Sequence, residues 1–408
     1  MKRRHQPGWV EPPESVRTTT QRGSNQKGMR AFNERLVLTL VRRHGSLAKA
    51  QIAKITGLSA QTVSVIMRAL EAEELVIRET PRRGRVGQPM VPLSLNPDGV
   101  FSLGLMIGRR SHEMMLMDFT GVIRDSRRVT FAYPTAGKLL EFTANASREL
   151  IGSLPVALRD RVMALGIASP FSIWDWGDIV GAPSETMNEW REFDIRREIE
   201  AIVQMPVYIQ NDATAACGAE LMLGRGGEFS EFLYFFIGLF AGGGVVINGS
   251  LYPGRTGNAG ALASMPVPGI DGTSRSLLDS ASIVRLESEI RAANENPDAL
   301  WRRRGDWSEV ENQDRLRQWT ENAASNLAFA IAAACSVIDF AAVVIDGSFP
   351  ESIRAELCNS VRRELDELGV LGIDLPKIVE GQVGSGARAI GAACLPIFER
   401  YLLDQTNL

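Results

Sequence analysis

Apolar residues recur with a helical period in three successive stretches near the amino terminus. The first stretch predicts a helix over residues 30–43, which would place four apolar side chains in a core: Leu36, Val37, Leu40 and Val41. Residues 46–76 then indicate a helix, a tight turn and a second helix, with Ile52 and Ile55 on the inner face of the first. The inner face of the second helix follows i, i+3, i+4, i+7 spacing, at Val63, Ile66, Met67 and Leu70.

The residues between the two helices have the properties of a sharp turn. Gly57 is expected to end the first helix, Leu58 to fill the corner, and Ser59 to cap the second helix. A helix-turn-helix of this kind places its second helix in the major groove of DNA. The polar side chains outside the apolar stripe of that helix are an amide, two hydroxyls and a guanidinium, which bond to base edges or phosphates: Gln61, Thr62, Ser64 and Arg68.

A wing is predicted directly after the second helix. Residues 75–78 and 91–95 have the alternation of short strands, and a turn rich in glycine, proline and arginine at residues 80–89 separates them. The arginines of this turn are expected to hold the DNA backbone or the minor groove: Arg82, Arg83 and Arg85. The alternative is a small amphipathic helical hairpin that packs on a larger domain.

The basic residues are concentrated in the predicted winged helix-turn-helix and the residues before it. The net charge of the whole chain is -3, but residues 1–97 contain 17 Lys and Arg against 7 Asp and Glu. Because a basic segment gains affinity for DNA by releasing counterions, this division predicts a polyanion as the partner of the first quarter only. The alternative, a solvated basic face without a partner, is common for short charge runs.

The remainder of the chain alternates between strand and helix patterns, which predicts an α/β fold. Strands are expected at residues 100–107, 113–118, 123–131, 162–167, 207–210 and 342–346. Helices are expected at residues 139–153, 194–202, 212–222, 280–294, 314–340, 351–368 and 387–403. Residues 234–248 predict a glycine-rich hairpin, whose glycines permit either tight turning or close approach of the backbone to a ligand.

A chain of 408 residues is too long for one hydrophobic core. The turn at residues 96–99 predicts a boundary, which gives a flexible basic tail at 1–27, a winged helix-turn-helix at 28–97 and an α/β domain at 98–408. The tail either touches DNA phosphates or has no role. The four cysteines show no C-x-x-C spacing and are expected to be core residues, and the absence of a signal-like or membrane-spanning apolar run predicts a cytoplasmic protein.

Three motifs, together with the predicted winged helix, resemble the ROK family of repressors and sugar kinases. They are QNDATAACGAE at 210–220, GLFAGGGVVINGSLYPGRTGNAG at 238–260 and GSGARAIGAACL at 384–395. The resemblance covers residues 28 to 400 and implies a two-lobed actin-like ATPase fold that holds sugar between its lobes. Family members with an amino-terminal winged helix are transcriptional regulators, commonly repressors of carbohydrate genes.

Compared with the kinases of that family, the chain departs at the positions that hold metal and phosphate. Met106 stands where they have an aspartate, and a thioether cannot replace a carboxylate toward magnesium. Arg109 and Arg110 stand where small residues belong, Leu239 and Phe240 replace threonine and glycine, and the nucleoside-contacting glycines are reduced to residues 346–348. The comparison implies no kinase activity, no catalytic residue, no cofactor and no metal. The arginine pair suggests an anionic ligand or is simply solvated.

The sugar-contacting positions are retained only in part. Asp212, beside Asn211, stands where the kinases keep their general base, and it either contacts a ligand or caps a helix. Asn258 belongs to the retained GNAG motif, and Asp279 falls where the family has a sugar-binding glutamate. Ala261 and Ser264 replace a glutamate and a histidine, and the zinc-binding cysteines that normally follow are missing. The ligand residues implied by the resemblance are therefore Asn211, Asp212, Asn258 and Asp279.

The resulting hypothesis is a DNA-binding repressor of carbohydrate-related genes, with double-stranded operator DNA and a sugar-like effector as partners. The operator is expected to be palindromic, and the protein a homodimer or a dimer of dimers that does not bind membranes. Ligand closure of the lobes would change the spacing of the two winged helices. Two alternatives stay open: an ATP-dependent sugar kinase with an appended DNA-binding domain, and a DNA-bound scaffold whose cleft binds nothing.

Overall fold

The computed structural model describes residues 26–81, 90–170, 173–177, 181–269, 272–297, 300, 307 and 313–403. Its chain divides into two compact units. The first is formed by the described residues up to Asp212 together with those from Ala392 to Leu403, and the second by the described residues from Ala213 to Gly391. No helix within these described ranges is long and apolar enough to cross a membrane.

The amino-terminal part of the first unit is a winged helix. It consists of three helices and a small antiparallel sheet of three strands, in the order β1-β3-β2. Their bounds are α1 Gln26–His44, β1 Ser46–Ala48, α2 Lys49–Thr56, α3 Ala60–Ala72, β2 Val76–Arg78 and β3 Pro92–Leu95. The predicted helix-turn-helix is present, but residues 46–48 form a strand instead of the start of a helix. Leu47 and Ala48 are buried where this strand pairs with β3.

The helical core matches the hydrophobic pattern with one exception. The predicted inward-facing residues of α1 and α3 are all buried, as is Ile52 of α2: Leu36, Val37, Leu40, Val41, Val63, Ile66, Met67 and Leu70. Ile55 was wrongly predicted to be buried, because half of its surface is exposed. α2 ends one residue after Ile55, so this side chain lies at the carboxyl end of a short helix and not in its middle.

A five-stranded mixed sheet forms the rest of the first unit, in the order β6-β5-β4-β7-β8. β4, β7 and β8 run parallel, while β5 and β6 add antiparallel hairpins at one edge. The strands are β4 Phe101–Ile107, β5 Ser111–Asp118, β6 Ile123–Thr130, β7 Val162–Ser169 and β8 Val207–Asn211. The helices are α4 Ala136–Ser153, α5 Ser184–Asn188 and α6 Ile195–Val203.

His112 is a fully buried polar side chain in this sheet. Its ring packs against Phe131 and Phe142, at centroid distances of 4.5 and 6.1 Å. Neither ring nitrogen has a hydrogen-bond partner among the described residues. Because burial disfavours the charged imidazolium, the pKa of His112 falls from 6.5 to about 3.

This burial predicts a pH dependence of stability. Between pH 6.5 and 3 the unfolded chain binds a proton at His112 and the folded chain does not, so the free energy of unfolding falls as the pH falls through this window. The loss is at most ~1.4 kcal/mol per pH unit. His112→Leu removes this contribution, so its unfolding free energy relative to the wild type should rise between pH 7 and pH 5 in denaturant titrations. If the unfolding free energies of His112→Leu and the wild type differed by the same amount at both pH values, the imidazole would not be buried and neutral.

The second unit is built on another five-stranded sheet, of order β11-β10-β9-β14-β15. β9, β14 and β15 run parallel, and β10 and β11 are antiparallel to their neighbours. Its strands are β9 Phe232–Ile237, β10 Ala241–Ile247, β11 Ser250–Leu251, β12 Pro266–Pro268, β13 Ser274–Ser276, β14 Ala342–Gly347 and β15 Lys377–Glu380. Its helices are α7 Asp212–Leu223, α8 Leu277–Ala281, α9 Ile283–Ala292, α10 Gln313–Cys335, α11 Glu351–Leu368 and α12 Ala387–Tyr401. Asp212 and residues 392–401 belong to the first unit.

Two helices of the second unit differ from their predicted bounds. The helix expected at residues 280–294 is two helices that meet at Ser282, whose hydroxyl oxygen accepts a hydrogen bond from the Ala241 N–H at 2.8 Å. The helix expected to reach residue 340 ends at Cys335. All four cysteines are buried, as predicted: Cys217, Cys335, Cys358 and Cys394.

Three glycines of the predicted hairpin, Gly242, Gly243 and Gly244, lie inside strand β10, and Gly238 lies in the turn before it. A Cβ at Gly243 would stand 2.1 Å from the Tyr234 carbonyl oxygen, and one at Gly244 would stand 2.5 Å from the Cβ of Cys217 in α7. Both distances are shorter than real Cβ contacts. Gly243 and Gly244 therefore allow close packing of β10 against β9 and α7, a role that the sequence did not suggest, and close approach to a ligand stays a prediction.

Candidate nucleic-acid interface

The turn between α2 and α3 orients the second helix of the helix-turn-helix. Gly57 has a left-handed φ of 71° and its N–H donates to the Ala53 carbonyl at 3.0 Å, which ends α2. Leu58 is half-buried in the corner. Ser59 caps α3 as predicted, because its hydroxyl oxygen accepts a hydrogen bond from the Thr62 N–H at 3.1 Å.

Replacing Ser59 with alanine is expected to destabilise α3 by about 1 kcal/mol, the usual cost of losing a serine cap. Faster amide hydrogen exchange in the first turn of α3, at Thr62 above all, would report it. Ser64→Ala is the matched control, since Ser64 is a serine of the same helix away from the cap. Equal exchange rates at Thr62 in the Ser59→Ala variant and in the control would show that the cap contributes nothing.

One face of α3 carries three of the four predicted DNA-reading side chains, and Thr62 lies outside it. Positions 61, 64, 65 and 68 follow i, i+3, i+4, i+7 spacing and therefore share a side of the helix. Gln61, Val65 and Arg68 are exposed, while Thr62 and Ser64 are half-buried. An amide, a hydroxyl, two methyl groups and a guanidinium on one exposed face have the chemistry that reads base edges in the major groove.

Two of these side chains are already bonded within the helix. The Arg68 Nε donates to the Ser64 carbonyl at 3.2 Å, so the guanidinium lies back along α3. The Thr62 and Ser59 hydroxyls are 2.8 Å apart and share a hydrogen bond. Both contacts are exposed, and Arg68 keeps its remaining N–H groups for other acceptors.

The strand that leads into the wing is tied to α3 by an ion pair that sequence reasoning missed. The Arg78 guanidinium bonds both carboxylate oxygens of Glu71, at 2.5 and 3.3 Å. This hydrogen bonding holds the pKa of the Glu71 carboxyl below its usual value. Arg78 stays largely exposed and stands as a basic residue at the base of the wing. Arg82, Arg83 and Arg85 lie outside the described residues.

The four implied ligand residues are divided between the two units. Asn211 ends β8 and Asp212 begins α7, in the first unit, and both are half-buried. Asn258 and Asp279 belong to the second unit and are exposed. Ligand contact by these residues, and the alternative of a helix cap for Asp212, stay predictions.

The loop of Asn258 and the surroundings of Asp279 have defined local geometry. Gly260 has a left-handed φ of 82°, and a Cβ there would stand 2.6 Å from the Gly244 Cα, so the loop lies directly on β10. The Ser276 hydroxyl donates to the Asp279 carboxylate at 2.6 Å, and the Asp279 N–H donates to the Ser276 hydroxyl at 3.3 Å. Asp279 thus takes part in capping α8, a contact that ligand binding would have to share.

The loop that resembles a phosphate-binding loop is bonded to the amino terminus of α9. The Ile283 and Val284 N–H groups donate to the carbonyls of Gly238 and Leu239, at 3.0 and 3.1 Å. Met106, at the position of the kinase aspartate, is an apolar core residue of β4. Neither feature supplies a ligand that magnesium prefers.

Asp346 stands where the related kinases have part of a nucleoside-contacting motif. It is fully buried and bonds to other groups of the protein. Its carboxylate accepts hydrogen bonds from the Gly384 N–H at 2.8 Å and from the Arg354 guanidinium at 3.2 Å. Burial still raises the pKa of this carboxyl above its usual value. Asp346 therefore holds the loop before α12 in place.

Comparison with protein families identifies two domains. Residues 102–273 match the model of the ROK family, and residues 32–85 match a model of the MarR family. The first covers most of the mixed sheet of the first unit and the strands β9–β12, and the second covers α2, α3 and most of α1.

Relatives and solved structures extend the match to nearly the whole chain. An uncharacterised protein of Sinorhizobium fredii is 24% identical over 91% of this chain and 92% of its own length. The xylose repressor of Bacillus subtilis is 25% identical over 60% of this chain and 62% of the repressor, so the alignment spans less than two thirds of either protein. The crystal structure of a ROK family transcriptional regulator, a homologue of the Escherichia coli MLC protein, aligns with a TM-score of 0.66 and 18% identity over 92% of this chain and 98% of that chain.

At 18% identity the regulator structure establishes only the fold of this chain. Solved ROK kinases have a similar fold. Residues 102–273 therefore match the ROK family within an actin-like fold, and the winged helix before them matches the MarR family model.

Proposed function

We propose that this chain is a DNA-binding transcriptional regulator, a repressor of carbohydrate-related genes that responds to a sugar-like effector. The observation that carries the proposal is the face of α3 outside its buried apolar stripe, which holds Gln61, Ser64 and Arg68. The strongly basic composition of residues 1–97 supports a polyanionic partner for this face. Such a regulator works on DNA in the cytoplasm.

The ROK domain is proposed to sense the effector and to assemble the regulator. Relatives of this chain are named xylose repressors, which supports a sugar or a sugar derivative as the effector class. Asn211, Asp212, Asn258 and Asp279 are the proposed contacts. A homodimer, or a dimer of dimers, would place two winged helices on a palindromic operator, because the symmetry of a site mirrors that of a dimer.

Loss of kinase activity is the third part of the proposal. Met106 offers a thioether where magnesium needs an oxygen ligand, and it is buried in β4. The loop at residues 238–240 is bonded to α9 and carries the bulky side chains of Leu239 and Phe240. A sugar kinase with an appended DNA-binding domain remains the competing function, because ROK kinases share this fold.

Selection of duplexes from a random DNA pool by the full chain tests the proposal. The expected result is an enriched palindromic sequence that is released when a monosaccharide from a test panel is added. Asp212→Ala is expected to keep the DNA affinity and to lose the response to the sugar. Enrichment of no sequence would refute the DNA-reading role, and equal release from the wild type and from Asp212→Ala would refute the proposed ligand contact.

A further inference from the structure

The first helix of the winged helix is fastened to the carboxyl-terminal end of the last helix. The Nε of Arg35, in α1, donates to the Leu402 carbonyl at 2.7 Å, and its Nη2 bonds the same oxygen and the Phe398 carbonyl at 3.4 Å. The Leu403 N–H donates to the Thr39 hydroxyl oxygen at 2.9 Å. We call these contacts of Arg35 and Thr39 with residues 398–403 the α1 clasp.

The physical chemistry of helix ends makes this clasp strong. The last carbonyls of a helix have no partner within it and carry partial negative charge. The Arg35 guanidinium bonds the Phe398 carbonyl, in the last turn of α12, and the Leu402 carbonyl, one residue beyond the helix, with charge-assisted hydrogen bonds. Thr39, Leu402 and Leu403 are buried, so water competes poorly for these groups.

A second set of contacts holds the other side of the winged helix. Arg161, which follows α4, pairs with Glu74 at the end of α3 and donates to the carbonyls of Asp98 and Gly99, at 3.3 Å each. Arg42 of α1 donates to the Phe119 carbonyl at 3.2 Å. The winged helix is therefore fixed to the first sheet at separate points and not only through the turn at residues 96–99.

We propose that Arg35 and Thr39 are positioning residues for DNA recognition, which act by fixing the orientation of the winged helix on the end of α12. Their side chains bond to the backbone of residues 398–403, so we assign them no contact with a base. A palindromic site requires the two recognition helices of a dimer to lie at a fixed spacing. Loosening the α1 clasp is therefore expected to lower the affinity for the palindrome, while the affinity of one winged helix for a half-site stays the same. This inference rests on the proposed function.

Binding measurements on a selected palindrome and on its isolated half-site test the clasp. Arg35→Ala is expected to weaken palindrome binding about 10-fold, since charge-assisted hydrogen bonds contribute on that scale. Its affinity for the half-site should stay within about 2-fold of the wild type. Arg35→Lys is expected to restore the palindrome in part, because an ammonium keeps the charge without the planar fork.

Arg30→Ala is the matched control, because Arg30 lies on the same helix and pairs with Glu34 in an exposed i, i+4 contact. It should leave both affinities unchanged. Thr39→Val is the second variant, which removes the acceptor of the Leu403 N–H while keeping the shape of the side chain. Weakening of palindrome and half-site by the same factor, or no weakening in Arg35→Ala and Thr39→Val, would overturn the proposal.

Small-angle scattering of the same proteins separates this inference from the proposed function. Without DNA, a released winged helix increases the radius of gyration of Arg35→Ala but not that of Arg30→Ala. If the wild type selects no duplex, the proposed function fails, and the scattering still decides whether the clasp orients the domain. Identical scattering of Arg35→Ala and the wild type would contradict the clasp on its own.

Discussion

Replacing Gly391 with alanine is expected to destabilise the second unit by about 3 kcal/mol, the upper range for overpacking a well-packed contact. A Cβ at this position would stand 1.8 Å from the Ala215 carbonyl oxygen. The obstacle is the backbone of α7, not the end of a flexible side chain, so the two helices would have to move apart. Gly391 therefore sets the distance at which α7 and α12 cross.

Denaturant unfolding followed by tryptophan fluorescence measures this effect, because Trp307 and Trp319 pack in the core of the second unit. Gly137→Ala is the control. A Cβ at Gly137, in the first turn of α4, meets nothing within 4 Å, so that substitution is expected to be neutral or to stabilise by up to ~1 kcal/mol. Equal transition midpoints for Gly391→Ala and Gly137→Ala would contradict the helix crossing described here.

Replacing Arg68 with alanine is expected to weaken binding to the selected duplex ~10- to 100-fold, the range for losing one bidentate base contact. The loss should fall mainly on one base pair, so specificity at that position relaxes. Gln61→Ala is expected to act in the same way at a neighbouring position. Competition with duplexes that carry single base changes measures both effects.

Arg85→Ala provides the contrast, because an arginine that contacts phosphate weakens binding to all sequences alike. It should also reduce the slope of log affinity against log salt by about 0.9 for the lost phosphate contact. Arg68→Ala with an unchanged preference at every base would remove Arg68 from the reading face.

The helical period predicted the buried stripe of α3 because this helix is amphipathic over more than three turns, and the apolar residues of α1 predicted its buried part. The same reasoning failed where an element is short. α2 has only two turns, so the burial of Ile52 did not extend to Ile55. The three-residue strand β1 was absorbed into a predicted helix, and β15, which has four residues after Pro376, was not predicted.

Contacts between distant residues could not be predicted from local pattern. Arg35 and Leu402 are separated by 367 positions, and nothing in the amphipathic pattern of α1 indicates a helix end as the partner of Arg35. The glycines of β10 were recognised as exceptional, but their reason lies in the packing of α7 and Leu262 against the strand. The kinase-like positions were found only through the family resemblance, since Met106 reads locally as an ordinary strand residue.

The most direct measurement uses one preparation of the full chain for two assays: binding to a duplex selected from a random pool, and transfer of phosphate from magnesium ATP to a panel of hexoses. We expect sequence-specific binding that weakens steeply with salt, and no phosphorylated sugar. Phosphorylation of a hexose by protein that binds no duplex, even at low salt, would contradict it.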